Sequence, residues 1–223
     1  MDPRFLRNLP TLSQAEQAEL AAKHVLVAGC GGLGGFVVEF LVRAGVGEIT
    51  AADPDSFELS NRNRQLLSLE STLQQNKACA AAQRAKDINP AVVFHPVETR
   101  LSAENLPELL RDCDLVVDAL DGAADRLLLA EACGARGIAL VHGAVQGWNA
   151  QVAVVLPGSG LLHRLYSSTN TAADSTVLSP VPAFCAAIQC AEAIRLLCGQ
   201  ASTLADKLLL ADLRRMEFDT VSL

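Results

Sequence analysis

HVLVAGCGGLGGFVVEFLVRAGVGEITAAD, residues 24–53, decides the fold. An apolar run from Val25 to Ala28 enters a cluster of glycines at Gly29, Gly31, Gly32, Gly34 and Gly35. A helical apolar pattern follows through Phe36, Val37, Phe40 and Leu41, and a second apolar run ends on Asp53. The order is strand, glycine turn, helix, strand, acid. Glycines let the turn close and let a phosphate approach the backbone. The helix N-terminus offers that phosphate free N–H groups and a partial positive charge. Asp53 comes 19 residues after Gly34 (53 − 34), where a ribose-binding carboxylate belongs. Gly29, Gly31 and Gly34 alone satisfy G-x-G-x-x-G, so an NAD-dependent oxidoreductase stays open as a reading.

Upstream, SQAEQAELAAK predicts a helix starting after Thr11 or Ser13, with Gln and Glu in its first turn and Lys near its end. Downstream, Asn76 to Asn89 is Ala-rich and is stopped by Pro90. Strands are expected at Ala91–Val97, Leu115–Leu120 and Ile138–Val145. Helices are expected at Ala103–Asp112 and at Ala123–Arg136, the latter closed by Gly137. This alternation predicts an α/β, Rossmann-like, doubly wound and mainly parallel sheet. After Trp148 the pattern changes. Strands are expected at Gln151–Leu156, Lys207–Leu210 and Arg215–Val221, and some of the connections around them are too short for helical crossovers, which predicts some antiparallel pairing at the C-terminal side. SSTNTAADST (residues 167–176) reads as a mobile loop. Val181–Cys198 is apolar nearly all round, as in a central or interfacial helix. No repeat or linker divides residues 1–223, so one domain is expected.

Composition narrows the partners. At 223 residues the chain can bury one sizeable core, and with one Trp, one Tyr and seven Phe that core must be aliphatic. A formal net charge of −7 argues against nucleic acid as a general partner. No run approaches the roughly 20 uninterrupted apolar residues of a membrane span, and MDPRFLRNLP lacks a signal-peptide core. Seven scattered Cys without a C-x-x-C suggest reduced thiols in a cytoplasmic protein and offer no zinc site.

Two further clusters carry chemistry. Asn61, Arg62, Arg64 and Gln65 fall together, and Lys77 opens the next helix. A dinucleotide pyrophosphate is largely held by backbone N–H groups, whereas a triphosphate that must be cleaved needs side-chain cations, here Arg64 and Lys77. Arg62 reads as a solvated loop charge. Asp118-Ala-Leu-Asp121 ends a predicted parallel strand, where ligand sites of open sheets lie. Asp121 can hold magnesium there through oxygen. Asp118 is expected only to cap a loop. Arg126 either orients Asp121 or pairs on its helix surface. His142 is the one residue worth naming as a hydride-transfer acid.

Jointly, RFLRN (4–8), GCGGLGG, DPDSFELSNRNRQ, Lys77 and DALDG resemble the ThiF/MoeB/HesA family, relatives of the ubiquitin-activating enzymes, over Arg4 to about Cys198. The resemblance implies an adenylyltransferase that binds ATP at the glycine loop and adenylates the C-terminal glycine of a small ubiquitin-like sulfur carrier ending in Gly-Gly. It implies that Asp53 binds the ribose and that Asn61, Arg64, Gln65 and Lys77 hold the phosphates. It implies further that Asp121 places magnesium, that the chain is a homodimer, and that Arg7 enters the neighbouring subunit's site. Some members adenylate a small carboxylate or a modified tRNA base instead, and a member kept only for binding or assembly is a further alternative.

The sequence departs from the family in three places. The two C-x-x-C pairs of many zinc-holding relatives are replaced by GLLHRLYSS and RRMEFDTVSL. His163 alone cannot make a tetrahedral site. The crossover segment TNTAADSTVLSP lacks the Cys that many relatives use for a thioester or persulfide, so a separate sulfur donor is expected. Cys185, Cys190 and Cys198 read as core, and Cys30 as packing near the nucleotide. Gly122 stands where the family often has Asn after the magnesium aspartate.

Overall fold

The computed structural model describes residues 2–166 and 176–222. The segment expected to be a mobile loop falls, except for Thr176, outside the described residues. Eight strands form one sheet in the order β3-β2-β1-β4-β5-β6-β7-β8. They are β1 (His24–Ala28), β2 (Glu48–Ala52), β3 (Val93–Val97), β4 (Leu115–Asp118), β5 (Leu140–Gln146), β6 (Asn149–Val155), β7 (Lys207–Asp212) and β8 (Glu217–Ser222). The pairs from β3 to β5 are parallel, and those from β5 to β8 are antiparallel. The expected mainly parallel sheet with an antiparallel C-terminal side is therefore what the chain forms. Pro96 is tolerated in β3 because that strand is an edge and needs no second ladder of hydrogen bonds.

Helices cover both faces: α1 (Gln14–Leu20), α2 (Gly34–Ala44), α3 (Lys77–Ile88), α4 (Leu106–Leu109), α5 (Ala123–Arg136), α6 (Leu161–Tyr166) and α7 (Pro180–Leu197). Ser13 caps α1 through a capping box with Glu16. The α2 helix buries Val37, Val38, Leu41 and Val42 against the sheet, each contributing roughly 2 kcal/mol. It stops at Gly45, whose φ of 96° a side chain would resist. Glu39 of α2 is nearly buried and accepts from Arg84 Nε and Nη2 of α3 at 2.7 and 2.9 Å and from Arg43 at 2.7 Å. Burial raises its pKa, but the two guanidiniums overcome this and hold the carboxyl below its ordinary range. This bidentate clamp fixes the helix that begins with Lys77 to the helix that follows the glycine loop.

The expected helix at Ala103–Asp112 shrinks to a single turn. Pro107 cannot sit in the interior of a longer helix, and the Asn105 side chain binds the Ser102 N–H and the Arg100 carbonyl instead. The fourth strand ends at Asp118 rather than Leu120, because the Leu120 N–H and C=O are taken by side chains. The α7 helix has the length and hydropathy of a membrane span. Here it packs against α2, β5 and β6, with Val181, Cys185, Ala186 and Ala193 fully buried.

Candidate functional site

The glycine loop joins β1 to α2 at the carboxyl end of the parallel strands. Two of its glycines are steric necessities. A Cβ at Gly34 would lie 1.8 Å from the Gly29 carbonyl oxygen, and one at Gly29 would lie 2.7 Å from the Ala119 oxygen. Gly31 and Gly32 differ. A Cβ on Gly31 would meet only the Gln65 amide at 3.6 Å, and one on Gly32 only Pro182 and Arg64 side chains at 3.7–3.8 Å. Those two line the open side of the loop.

Asp53 sits one residue past β2, with both oxygens engaged. Oδ2 accepts from the Cys30 N–H at 2.8 Å and Oδ1 from the Asp55 N–H at 2.9 Å. Burial raises its pKa, against the pull of those hydrogen bonds and of Lys77. Lys77 is nearly buried at the start of α3, which Asn76 caps, and its Nζ lies 2.9 Å from Asp55 Oδ2 and 4.0 Å from Asp53 Oδ1. Asn61 ends a short 3-10 turn; its side-chain oxygen caps Glu58 N, and its carbonyl takes the Arg64 and Gln65 N–H groups. This turn delivers Arg64 and Gln65 to the glycine loop. Gln65 is buried with Oε1 unpartnered among the described residues, and Arg64 Nη1 binds Ser60 O and Asn63 Oδ1. Arg62 pairs with Glu70, away from the loop, as a surface charge. A cleft of about 390 Å³ opens beside Arg64, lined by Ser60, Trp148 and Leu178 among others. A second cavity of about 210 Å³ lies under α5 and α6 at the opposite end of the strands.

Asp121 is exposed beyond the end of β4 and has no hydrogen-bond or ion-pair partner among the described residues. Ala119, two residues earlier, presses on Gly29. Arg7 is also exposed and unpartnered among the described residues. It lies on a 3-10 helix (Pro3–Asn8) anchored by Phe5 against Gly45 and by Asn8 on the Ala44 carbonyl. That is the C-terminal end of α2, about 16 Å along the helix axis from the glycine loop.

The structure assembles one cluster that the sequence reading did not. Asp118 was expected only to cap a loop, and it does accept the Leu120 N–H at 3.0 Å. Its other oxygen, however, takes His142 Nδ1 at 2.7 Å, with both side chains wholly buried. Arg126 makes no direct contact with Asp121 and does not lie on its helix surface. It turns inward to Leu120 O and the Tyr166 hydroxyl, with Nε 3.8 Å from Asp118. Gln189 of α7 donates to Asp118 O at 2.8 Å and Val141 O at 3.2 Å, in space that exists because residue 143 is glycine. The in-register pairing of Asp118 with His142 is what joins them, and neighbouring strands are not readable from one sequence. With Nδ1 on Asp118 and Nε2 facing Gln151 and Tyr166, His142 offers no nitrogen to a hydride acceptor.

Burial lowers the His142 pKa from 6.5, against the opposing pull of Asp118. Below pH 6.5 the unfolded chain therefore binds a proton that the folded chain refuses, and stability falls as the pH falls. The stability advantage of the wild type over His142→Gln, read from urea midpoints, should shrink as the pH drops below 6.5. A constant or widening gap would contradict a neutral buried ring.

The ThiF family model matches residues 5–223. The chain belongs to the ThiF family. Within it, the chain is 34% identical over 211 residues to the SAMP-activating enzyme E1 of Haloferax volcanii, covering 92% of this chain and 78% of that one. It is 35% identical over 222 residues to the sulfur carrier protein adenylyltransferase of Thermus thermophilus, covering 94% and 82%. Among solved structures, E. coli MccB with ATP superposes with a TM-score of 0.84 at 19% identity, over 100% of this chain and 72% of that one, a likeness of fold. The ThiF family resemblance read from the sequence is thus correct.

Proposed function

We propose that this chain is an ATP-dependent adenylyltransferase that activates the C-terminal glycine of a small ubiquitin-like sulfur carrier as an acyl-adenylate. The observation that carries the reading is the convergence of Arg64, Gln65 and Lys77 on a glycine loop with a buried acid, Asp53, at its side. The names of the H. volcanii and T. thermophilus relatives supply the class of substrate. The NAD-dependent oxidoreductase loses support, because its one candidate acid, His142, is sealed inside the core.

In this reading Gly29, Gly31, Gly32 and Gly34 form the phosphate turn, with Gly31 and Gly32 at its open side. Asp53 accepts from the ribose, and Asn61, Arg64, Gln65 and Lys77 serve the phosphates. Magnesium fits Asp121, since this cation is held by one or two carboxylates together with substrate phosphates and Asp121 is an uncommitted, exposed carboxylate. When bound, it would offset charge on the phosphate oxygens. The carrier's terminal carboxyl has a pKa of roughly 3.5 and is ionised at neutral pH, so no general base is required. Its oxygen bonds to the α-phosphorus, the bond to the β-phosphate oxygen breaks, and pyrophosphate leaves. Arg64 and Lys77 neutralise the leaving group while the loop holds the reactants in line.

The reading includes a homodimer, a cytoplasmic setting, residues 1–223 acting as one adenylation domain, and sulfur supplied by a separate donor rather than by a cysteine of this chain. The described thiols suit that last point. Burial pushes Cys30 well above its ordinary value and Cys185 up to about 12, far from the thiolate a nucleophile requires. With ATP, magnesium and a Gly-Gly-ending carrier, intact mass should show the carrier gaining AMP and the enzyme gaining nothing that a thiol removes. A carrier–enzyme conjugate cleaved by dithiothreitol would overturn the cysteine-free reading. Absence of AMP transfer to any such carrier would overturn the substrate.

A further inference from the structure

The cluster around Asp118 and His142 closes into a ring. Asp118 Oδ1 accepts the Leu120 N–H at 3.0 Å, and Oδ2 accepts from His142 Nδ1 at 2.7 Å. With its proton on Nδ1, His142 presents Nε2 as an acceptor, 3.2 Å from the Tyr166 hydroxyl and 3.1 Å from Gln151 Nε2. The hydroxyl receives Arg126 Nη1 and, at 3.0 Å, Gln151 Nε2. Arg126 then donates from Nε to the Leu120 carbonyl at 3.1 Å, and from Nη2 as well. Contacts run from Arg126 through Tyr166 and His142 to Asp118, and both ends of the chain finish on Leu120, on its C=O and its N–H. Asp118 and Arg126 cancel in charge, as a buried pair must.

The loop so gripped is the one that carries Asp121. Ala119 on one side of Leu120 rests against Gly29 of the phosphate turn, and Asp121 follows on the other. Leu120 thus has little freedom to shift, and the exposed Asp121 carboxylate takes its position from it. Stitching β4 to β5 and β6 needs no such network, since apolar side chains of similar volume do so at less desolvation cost.

We propose that His142 and Tyr166 are positioning residues for adenylation, acting through Asp118 and Arg126 to hold Leu120 and hence Asp121 against the phosphate end of the site. The inference rests on the functional reading above, in which Asp121 faces a metal–phosphate group. Groups that orient a metal's ligands matter to about 10–100-fold in metal affinity or activity.

Tyr166→Phe tests this gently, because it removes the hydroxyl but keeps the ring that packs edge-on to His142 at 5.8 Å and under Arg126 at 5.4 Å. The first readout is Mn²⁺ affinity in the presence of a non-hydrolysable ATP analogue, from the electron paramagnetic resonance of free Mn²⁺. The second is ATP–pyrophosphate exchange with a Gly-Gly-ending ubiquitin-like carrier of the same genome. The expected result is Mn²⁺ affinity and exchange kcat each lowered about tenfold, with KM for the carrier within about twofold of wild type. Mn²⁺ affinity and kcat both within about twofold of wild type would overturn the proposal, whatever the change in melting temperature, because only a structural role would remain. If the wild type itself fails to exchange with the carrier, the substrate reading fails, while the Mn²⁺ comparison still decides the positioning role.

Discussion

Alanine at Gly34 is expected to collapse the glycine loop and abolish nucleotide binding, whereas alanine at Gly31 should leave the fold intact and weaken only the nucleotide. The new methyl at Gly34 would sit 1.8 Å from the Gly29 carbonyl oxygen, and no rotamer exists through which a methyl could escape. The backbone must part, and Gly29 cannot retreat because it is itself pressed on the Ala119 carbonyl. The cost should be roughly 3 kcal/mol or more, a large share of the roughly 5–15 kcal/mol that holds a domain folded. At Gly31 the methyl meets only the Gln65 amide at 3.6 Å, and φ there is not positive. Folding stability should be unchanged or raised by about 0.4–1 kcal/mol, since alanine narrows the unfolded ensemble. The methyl would nevertheless occupy the side from which a phosphate must approach. Chemical denaturation gives the first quantity, and calorimetric titration with ATP and magnesium gives the second. If Gly31→Ala binds ATP as tightly as the wild type does, the loop is not a phosphate cradle.

That contrast also marks how far the sequence could be read. The strand–glycine–helix–acid unit was legible because a continuous apolar run, a dense glycine cluster and a 3.6-residue pattern are all local signals. So was the helix over Ala123–Arg136, with Gly137 in the left-handed region at its end. Pro107 was equally local, and giving it full weight would have shortened the expected helix at 103–112. The Asp118–His142–Tyr166–Arg126 ring was not legible in that sense. Its members come from two neighbouring strands and two helices, and which strands neighbour each other is decided by packing, not by any motif. Arg126 shows the consequence. On the helix pattern alone its partners are Asp121 or a surface carboxylate, yet the fold turns it under the loop to the Leu120 carbonyl. Asp121 was marked by its place at the end of an apolar strand, whereas Arg7 was singled out only through family resemblance, because an exposed charge without a partner leaves no trace in apolar patterning.

Arg7→Ala and Lys77→Ala should each abolish ATP–pyrophosphate exchange, and mixing the two should restore part of it. Lys77 is nearly buried beside Asp53 and Asp55, and in the proposed function it serves the phosphates of its own chain's site. Losing a group that stabilises developing charge costs about 10²–10³ in rate. Arg7 is held at the far end of α2, about 16 Å along the helix axis from the glycine loop, by Phe5 on Gly45 and Asn8 on Ala44. An arginine side chain does not span that distance, so a role in the reaction requires the site of another subunit. In a symmetric dimer the contact is reciprocal, with each Arg7 serving the partner's site. A mixed dimer then contains one site with Lys77 from one chain and Arg7 from the other, and one site lacking both. Random pairing of equal amounts makes half the dimers mixed, so about one quarter of the sites should work again. Subunit exchange has to be demonstrated independently, for example by native mass spectrometry of differently tagged chains. Recovery near that fraction would establish the shared site. Exchange of subunits without any recovery would confine Arg7 to its own chain or to no role in the chemistry, since no other arrangement leaves a mixed dimer without one complete set of cations.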